Sequence, residues 1–257
     1  MFPYFYIFGR PIGTYGLCML LGFVLAFVLS FRKGRRYGLL FEDLLICAAI
    51  AFGFALIGGG LLYAFVTYSV KEILAFIKAG EFQFLTSGIV FYGGLIGGVL
   101  GALLGVKVAG CKFDTMARSV VPYIPLGHAI GRIGCVMAGC CHGFTYDGPL
   151  ALYYPRSVSR LSSEQGYFPV QLLEGLINVI ICLTLCVYEK KAKRGINLLF
   201  AYLGMYAISR FFLEMLRGDA IRGVWNSVST SQIISLILLA ISLVVLLVSK
   251  RTNTTEQ

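Results

Sequence analysis

The stretch GHAIGRIGCVMAGCCHG, residues 127–143, joins an apolar helical run to much of the polar chemistry of the chain. Both histidines, three of the eight cysteines and one arginine lie in it: His128, His142, Cys135, Cys140, Cys141 and Arg132. Charged side chains are costly within a membrane span and usually serve a function there. We therefore expect the rest of the chain to be a scaffold that holds this stretch at one face of a membrane.

The composition of the 257 residues is that of a membrane protein. Hydrophobic residues make up 58% and charged residues 13%, with a mean hydropathy of +0.83, whereas a soluble domain carries about 25% charged residues. The net charge of +10 comes from short basic clusters between apolar runs. The positive-inside rule and anionic lipid headgroups explain this placement, so nucleic acid is not a predicted partner.

The apolar runs predict an all-α polytopic membrane protein with seven transmembrane helices. Several runs approach or exceed the roughly 18 residues that a helix needs to cross the hydrocarbon core. We expect residues 1–257 to form a single transmembrane domain. Its predicted spans are 14–31, 43–66, 89–109, 119–138, 168–188, 196–214 and 230–249.

The basic residues predict the orientation of these spans. Loops after spans 1, 3, 5 and 7 carry thirteen lysines and arginines, and the loops on the opposite side carry seven. The dense clusters mark the cytoplasmic side, which places the N-terminus outside and the C-terminus in the cytoplasm. The basic cluster at 32–36 follows the first apolar run, so we expect that run to be a span and not a cleaved signal peptide.

This orientation gathers the unusual polar residues at the external leaflet. They are the turn after span 4 together with Tyr15, Tyr92, Arg132, Glu174, Arg210 and Glu214. The external loops 67–88 and 139–167 are predicted to form a small cap, the first of them as an amphipathic helix lying in the interface. For Tyr15 and Tyr92, position alone predicts no more than interfacial aromatic residues.

The two arginines are candidates for an anion site. Guanidinium groups bind phosphate bidentately, and the phosphate accessible at this depth belongs to a phospholipid headgroup. The alternatives are an arginine that snorkels to the interface and a structural i, i+4 pair of Arg210 with Glu214. Gly139 and Gly143 bracket a turn whose N–H groups are suited to face the same anion. Gly58–Gly60 and the glycines of GGLIGGVLG at 93–101 instead predict close helix packing.

The cysteine cluster leaves several chemistries open. Cys135, Cys140, Cys141 and His142, with His128 upstream, permit a metal ion. The alternatives are a Cys135–Cys140 disulfide and a nucleophilic cysteine activated by His142. The spacing fits no common zinc pattern, because vicinal cysteines rarely bind one ion together, so no metal and no other cofactor is predicted. The cysteines inside the spans are predicted to be small apolar residues.

Five motifs in register on the seven-span frame give the chain a resemblance to a known family. They are TYGLCMLLGF (14–23), FYGGLIGG (91–98), GRIGCVMAGCCHG (131–143), FPVQLLEG (168–175) and RFFLEMLRGD (210–219). The chain resembles the prolipoprotein diacylglyceryl transferases along nearly its whole length. The resemblance implies transfer of a diacylglyceryl group from phosphatidylglycerol to the lipobox cysteine thiol of prelipoproteins, with release of glycerol phosphate. It implies a multi-pass location in the bacterial cytoplasmic membrane, with the reaction at the outer leaflet.

The resemblance also assigns site residues and marks departures from the family pattern. Tyr15, Arg132, Gly143, Arg210 and Glu214 fall on the family's important positions. Tyr92 stands where the family carries the histidine of HGG, Cys135 where it carries asparagine, Cys140 where it carries glutamate, and Gly60 where it carries arginine. With that histidine absent, the candidates for the general base are Glu214, Glu174, Tyr92 and His142.

Two other functions are compatible with the sequence. The first is a Cys-dependent lipid acyltransferase that uses Cys140 or Cys141 on another acceptor. The second is a lipid-binding or transport protein without chemistry. The lack of an internal repeat and the one-sided placement of the polar residues disfavour a transporter, because alternating access needs a site near the midplane.

Overall fold

The structure is a computed structural model that describes residues 2–81, 88, 90–159, 161–192, 194–218, 224–225 and 228–255. It is α-helical with two short antiparallel hairpins. The helices are α1 (Thr14–Gly34), α2 (Phe41–Thr67), α3 (Val70–Ala79), α4 (Phe91–Val108), α5 (Phe113–Val120), α6 (Ile124–Ala138), α7 (Val170–Tyr188), α8 (Gly195–Glu214) and α9 (Thr230–Thr255). The strands are β1 (Tyr4–Ile7), β2 (Arg10–Gly13), β3 (Val224–Trp225) and β4 (Val228–Ser229). Single 3₁₀ turns cover Arg35–Tyr37 and Val121–Tyr123.

Six helical segments in the described ranges are long and apolar enough to cross a membrane, which confirms the polytopic all-α class. They are Thr14–Tyr37, Phe41–Thr67, Phe113–Ala138, Val170–Tyr188, Gly195–Glu214 and Thr230–Arg251. The predicted third span corresponds to α4, whose apolar part, Gly93–Val108, is shorter. A seventh span and the orientation of the termini therefore remain predictions.

The chain divides into two compact units. One comprises Lys33–Met116, and the other combines Met1–Arg32 with Ala117–Gln257. The first unit contains α2, α3 and α4, and the second contains α1, α6, α7, α8 and α9. All of the predicted site residues except Tyr92 belong to the second unit.

Glycines determine how α2 packs against α4 in the first unit. Four of them recur once per turn along α4, at Gly93, Gly97, Gly101 and Gly105. A Cβ atom at Gly105 would lie 2.7 Å from Cα of Cys47, and one at Gly101 would lie 2.6 Å from Cβ of Phe54. The backbones of the two helices thus approach where no side chain intervenes. The prediction that the glycines of 93–101 and Gly58 serve packing is confirmed.

Replacing Gly97 by alanine is expected to destabilise this helix pair by about 1–3 kcal/mol, because a Cβ atom there would overlap the carbonyl group of Phe54. Gly98→Ala is the matched control, since its Cβ atom would lie at an ordinary 3.5 Å from Cβ of Ala55. The measurement is the free energy of unfolding of each variant in mixed micelles. Equal stability of the two variants would contradict the packing account.

The predicted amphipathic helix within 67–88 is present as α3. Ser69 caps its N-terminus, with its Oγ accepting from the Glu72 N–H at 3.4 Å while the Ser69 N–H donates to Glu72 Oε2 at 2.8 Å. This reciprocal capping box satisfies two backbone donors that a helix start leaves free. Residues 82–87 lie outside the described part of the chain. The assignment of α3 to an external cap stays a prediction.

The N-terminal hairpin of the second unit was not expected from the sequence. Strands β1 and β2 pair antiparallel, with Tyr4 opposite Gly13 and Ile7 opposite Arg10. The turn residues Phe8 and Gly9 both have positive φ, at 49° and 74°. Positive φ at both turn residues is what a two-residue hairpin turn of type I′ requires. Because residues 2–8 are apolar or aromatic throughout, no alternation of polar and apolar residues predicts the strand. The local signal for the hairpin is the glycine at the second turn position.

Backbone hydrogen bonds join the loop after α6 to the start of α7 and the end of α8. The Gly143 N–H donates to the Phe168 carbonyl at 3.3 Å, and the Phe144 N–H donates to the Leu216 carbonyl at 3.2 Å. The Gly218 N–H completes the set by donating to the His142 carbonyl at 3.2 Å. The turn of the opening motif is therefore held between α7 and α8, where the candidate arginines lie.

Candidate active site

Helix α6 presents His128 and Arg132 one turn apart on one face, and both meet Glu174 of α7. Arg132 donates from Nη2 to Glu174 Oε1 at 2.7 Å and from Nε to His128 Nε2 at 3.2 Å. Because Nε2 of His128 accepts this hydrogen bond, its ring must carry its proton on Nδ1. The Glu174 side chain is only 2% exposed, so its charge is compensated by Arg132 and not by water.

Small residues allow α6 and α7 to come close enough for this ion pair. Gly175 follows Glu174, and a Cβ atom there would lie 3.6 Å from the Ala129 carbonyl oxygen and 3.7 Å from Cβ of Arg132. Arg132 uses two of its five N–H groups on His128 and Glu174. Among the described residues the other donors of this guanidinium group have no hydrogen-bond partner, which leaves them for a ligand.

Arg210 and Glu214 form the predicted i, i+4 ion pair on α8. Arg210 Nη2 lies 2.6 Å from Glu214 Oε2, and it also donates to Ser231 Oγ of α9 at 3.4 Å. Within the described ranges, the buried Nη1 of Arg210 has no hydrogen-bond partner. A buried guanidinium nitrogen without an acceptor is costly unless a ligand supplies one. The pair is thus both structural and a candidate anion contact.

Tyr206 links the two arginines into one site. Its ring lies 5.7 Å from that of His128, centroid to centroid, and its hydroxyl is in electrostatic range of Glu174, Arg210 and Arg132. His128 in turn interacts electrostatically with both arginines. Arg132 and Arg210, from α6 and α8, therefore converge on a common region whose counter-charges are Glu174 and Glu214.

Tyr15 lies at the edge of this region, in the first turn of α1. Its side chain is 45% exposed and in electrostatic range of Arg132 and the cysteine cluster. Gly134 permits the approach of α1, because a Cβ atom there would lie 3.2 Å from Cα of Tyr15. Tyr92 belongs to the other compact unit, and its side chain lies outside the described part of the structure.

The sulfur atoms of Cys135, Cys140 and Cys141 all lie within 4.8 Å of one another. All three are free thiols in the structure, so the alternative of a Cys135–Cys140 disulfide is not formed there. Gln171 of α7 holds the loop, because its Nε2 donates to the Cys140 carbonyl at 2.9 Å and to the Tyr154 hydroxyl at 3.0 Å. The cluster is thereby fixed to the same helix that carries Glu174.

The loop thiols differ in their electrostatic surroundings. Contacts with the thiols of Cys135 and Cys140, together with the positive charge of Arg217, lower the pKa of Cys141. Burial raises the pKa of Tyr154 to about 12, so its hydroxyl stays protonated near neutral pH. Cys141 is accordingly the thiol of this loop whose anion the surroundings favour.

His142 and Gly143 are held in the loop by their own backbone. His142 Nδ1 lies 2.8 Å from the Gly143 carbonyl, which can only accept, so Nδ1 carries the proton and Nε2 is the basic ring nitrogen. The Gly143 N–H is engaged by the Phe168 carbonyl, and a Cβ atom at Gly143 would lie 3.1 Å from the Leu216 carbonyl oxygen. Close packing accounts for glycine here, and the predicted contact of Gly143 with a headgroup stays a prediction.

An apolar groove of about 260 Å³ is lined by residues of α6 and α7, with Arg132 among them. Its walls include Ala129, Ile133, Leu172, Gly175 and Leu176. Leu172 and Leu176 are 45% and 58% exposed, so the groove opens on the outer surface of these spans. An apolar groove with an arginine in its lining is suited to a molecule with a hydrocarbon chain and an anionic head.

The structure brings Arg132 and Glu174 together with Arg210 and Glu214 in one region. Two of their partners, His128 and Tyr206, were not predicted. Gln171, which holds the cysteine loop, was not predicted either. His128 was considered only as a metal ligand, although its i, i+4 spacing to Arg132 indicates a shared helix face. Tyr206 has the same spacing to Arg210. Gln171 is fully buried, and its only sequence signal is a polar residue at the start of an apolar span.

Comparisons with known proteins identify the family of the chain. The sequence model of the prolipoprotein diacylglyceryl transferase family matches residues 3–248. A phosphatidylglycerol–prolipoprotein diacylglyceryl transferase of Clostridium tetani is 30% identical over 241 residues, covering 94% of each chain. A second such transferase of Clostridium perfringens is 31% identical over 234 residues, covering 91% of this chain and 89% of the relative. The Clostridioides difficile transferase is 30% identical, with the same coverage of both chains.

Proposed function

The chain belongs to the prolipoprotein diacylglyceryl transferase family, and we propose that it transfers a diacylglyceryl group from phosphatidylglycerol to a prolipoprotein. It is a transferase embedded in a membrane. The observation that carries the proposal for this site is the convergence of two buried guanidinium groups, Arg132 and Arg210, beside an apolar groove. Phosphatidylglycerol has the matching chemistry, an anionic phosphate joined to two acyl chains.

The arginines serve as the phosphate site. Each is held from one side by a carboxylate, Arg132 by Glu174 and Arg210 by Glu214, which fixes its direction before a ligand binds. The Nη1 donor of Arg210 and the remaining donors of Arg132 supply hydrogen bonds to the phosphate oxygens. Donors oriented in advance contribute most where charge develops on the leaving group.

The reaction is alkyl transfer to sulfur. The acceptor thiolate attacks the glycerol carbon of the diacylglyceryl group that bears the phosphate ester, forming a C–S bond as the C–O bond breaks. The electron pair of that bond leaves with the oxygen of glycerol phosphate, whose charge the arginines stabilise. The acceptor is the lipobox cysteine of a prelipoprotein signal peptide.

We propose that His142 is the general base that takes the proton of the acceptor thiol. Glu174 and Glu214, two of the candidates for the general base, are already ion-paired with arginines. The hydrogen bond of His142 Nδ1 to the Gly143 carbonyl leaves Nε2 as a basic nitrogen on the loop that borders the site. A neutral imidazole is the side chain best matched to proton transfer near pH 7.

The groove along α6 and α7 accommodates part of an acyl chain. It opens on the apolar outer surface of the spans and has Arg132 in its lining, so a lipid enters it from the bilayer with its phosphate toward the arginine. Such an entrance avoids moving the acyl chains through water. The headgroup and the acyl chain are then recognised by different parts of the same helix, α6.

The location follows from the proposed reaction and the loop charges. We place the protein in the bacterial cytoplasmic membrane, as a multi-pass protein with α4 as a seventh span. The N-terminus faces outward and the C-terminus lies in the cytoplasm. The arginine site then opens to the outer leaflet, where secreted prelipoproteins meet phosphatidylglycerol.

A genetic test addresses the function as a whole. Expression of the chain in a bacterium depleted of its own diacylglyceryl transferase is expected to restore lipidation of prelipoproteins, measured by the mass of a reporter lipoprotein. An Arg210→Ala chain expressed at the same level serves as the control. A stably inserted wild-type chain that leaves the reporter unmodified would contradict the proposal.

Replacing Gly175 by leucine is expected to raise the KM for phosphatidylglycerol at least about tenfold, because the leucine side chain would occupy the groove. Each methylene of the acyl chain that it displaces loses about 0.8 kcal/mol of burial. Gly175→Ala is the matched control, since its Cβ atom meets only ordinary contacts of 3.6 and 3.7 Å. The measurement is the KM for the lipid and for the acceptor peptide separately. An unchanged lipid KM in the leucine variant would exclude the groove as an acyl-chain site.

A further inference from the structure

We propose that Cys135, Cys140 and Cys141 form a binding site for one soft, thiophilic metal ion such as Zn²⁺ or Cd²⁺. The site borders the arginine region and uses none of its carboxylates as ligands. The proposal does not depend on the transferase reaction. It rests on the positions of three sulfur atoms, on the backbone that brings them together, and on the charges around them.

The sulfur positions are close to those of a metal–thiolate site. Zinc–thiolate bonds of about 2.3 Å imply sulfur–sulfur separations of about 3.8–4.0 Å in tetrahedral or trigonal geometry. The three Sγ atoms already lie within 4.8 Å of one another, so small side-chain rotations complete the arrangement. Thiolate ligands select soft ions over Mg²⁺ or Ca²⁺.

The backbone explains how vicinal cysteines can share one ion. In an extended chain the side chains of Cys140 and Cys141 would point to opposite sides. Here Gly139 ends α6 at φ 69°, and Cys141 itself has φ 57°, so the chain reverses around Cys135. The Cys140 N–H donates to the Cys135 carbonyl at 3.1 Å, which closes the turn. The vicinal position of Cys140 and Cys141, which disfavours a zinc site in the sequence, therefore does not keep the three sulfur atoms apart.

Two guanidinium groups lie near the three sulfur atoms. Arg132 interacts electrostatically with Cys135 and Cys141, and Arg217 interacts with Cys141. Three thiolates with one divalent ion carry a net charge of −1, which these guanidinium groups offset. Cys135 is buried while Cys140 and Cys141 are partly exposed, so an ion has a route of entry and an open fourth coordination position.

The test is a titration of the full-length, reduced protein in detergent with Cd²⁺, followed by the ultraviolet thiolate-to-cadmium charge-transfer band. We expect saturation at one ion per chain, three sulfur neighbours by X-ray absorption, and competition by Zn²⁺. A Cys135→Ser/Cys140→Ser/Cys141→Ser variant should lose the saturable band. A Cys182→Ser/Cys186→Ser variant, altered in two thiols of α7, should keep it. Loss of one cysteine ligand should weaken the affinity for Cd²⁺ at least about 100-fold, since loss of a residue that only hydrogen-bonds to a metal ligand already weakens metal affinity about 10–100-fold.

A second readout uses the wild-type chain and so does not depend on the folding of the variants. Bound Cd²⁺ should protect Cys140 and Cys141 from alkylation by a maleimide, as mapped by mass spectrometry, while labelling of Cys111 in the other compact unit stays unchanged. The proposal fails if no saturable band appears, if the band survives in the triple variant, or if Cd²⁺ leaves the labelling of Cys140 and Cys141 unaltered.

Discussion

Replacing Arg210 by alanine is expected to lower the rate of diacylglyceryl transfer at least about 100-fold, the usual cost of removing one donor that stabilises charge in a transition state. Its Nη1 is the buried donor that no acceptor in the described residues satisfies, so a ligand phosphate gains most from it. Arg132→Ala should have an effect of similar size. The measurement is the initial rate of thioether formation on a lipobox peptide at saturating phosphatidylglycerol.

The controls for this prediction separate charge from geometry. Arg36→Ala removes an exposed arginine of the basic cluster at 32–36 and should leave the rate unchanged. Arg210→Lys keeps the charge but lacks the planar fork of donors, so it should recover only part of the rate. Wild-type rates in the Arg132→Ala and Arg210→Ala variants would show that these arginines do not bind the reacting phosphate.

Replacing Glu174 by glutamine is expected to destabilise the protein by about 3–5 kcal/mol, because it leaves the buried Arg132 without its counter-charge. Glu174 is 2% exposed and lies 2.7 Å from Arg132 Nη2, so water cannot substitute for its charge. The free energy of unfolding in mixed micelles measures the effect. Glu164→Gln, at an exposed loop position, is the matched control and should change stability little.

A double variant distinguishes the structural role of this pair from its functional one. Arg132→Met combined with Glu174→Gln removes both charges, so it should recover much of the lost stability while remaining inactive. If the single variant Glu174→Gln is as stable as the wild-type protein, the ion pair does not hold α6 against α7 in the way described.

The sequence predicts the helical spans well because their signal is local. Apolar length alone locates the first residues of Thr14–Tyr37 and Val170–Tyr188 to within a few residues. The hairpin at residues 4–13 was not predicted, because an aromatic apolar segment before a span has no period that distinguishes strand from helix. The apolar part of α4 is shorter than the predicted third span, and its contact with α2 is made by glycines and not by long side chains.

The charged residues of the candidate site can be predicted from the sequence, because a charge within an apolar span is energetically costly. The neutral residues that complete the site are harder to predict. Arg132, Arg210 and Glu174 stand out because charges in apolar spans need a reason. Tyr206 and Gln171 do not stand out, since tyrosine and glutamine are common at the ends of spans. The proximity of Cys135 to Cys140 and Cys141 depends on a left-handed residue at position 141, which no local pattern indicates.

Mass analysis of a reconstituted reaction is the most direct test of the proposed diacylglyceryl transfer. The purified chain is incubated with labelled phosphatidylglycerol and a lipobox peptide, alongside the same peptide with serine in place of its cysteine. The account predicts a diacylglyceryl thioether on the cysteine peptide alone, together with an equal amount of glycerol phosphate. An acyl ester or thioester product, a covalent lipid adduct on the enzyme's own cysteines, or no product from a folded chain would contradict it.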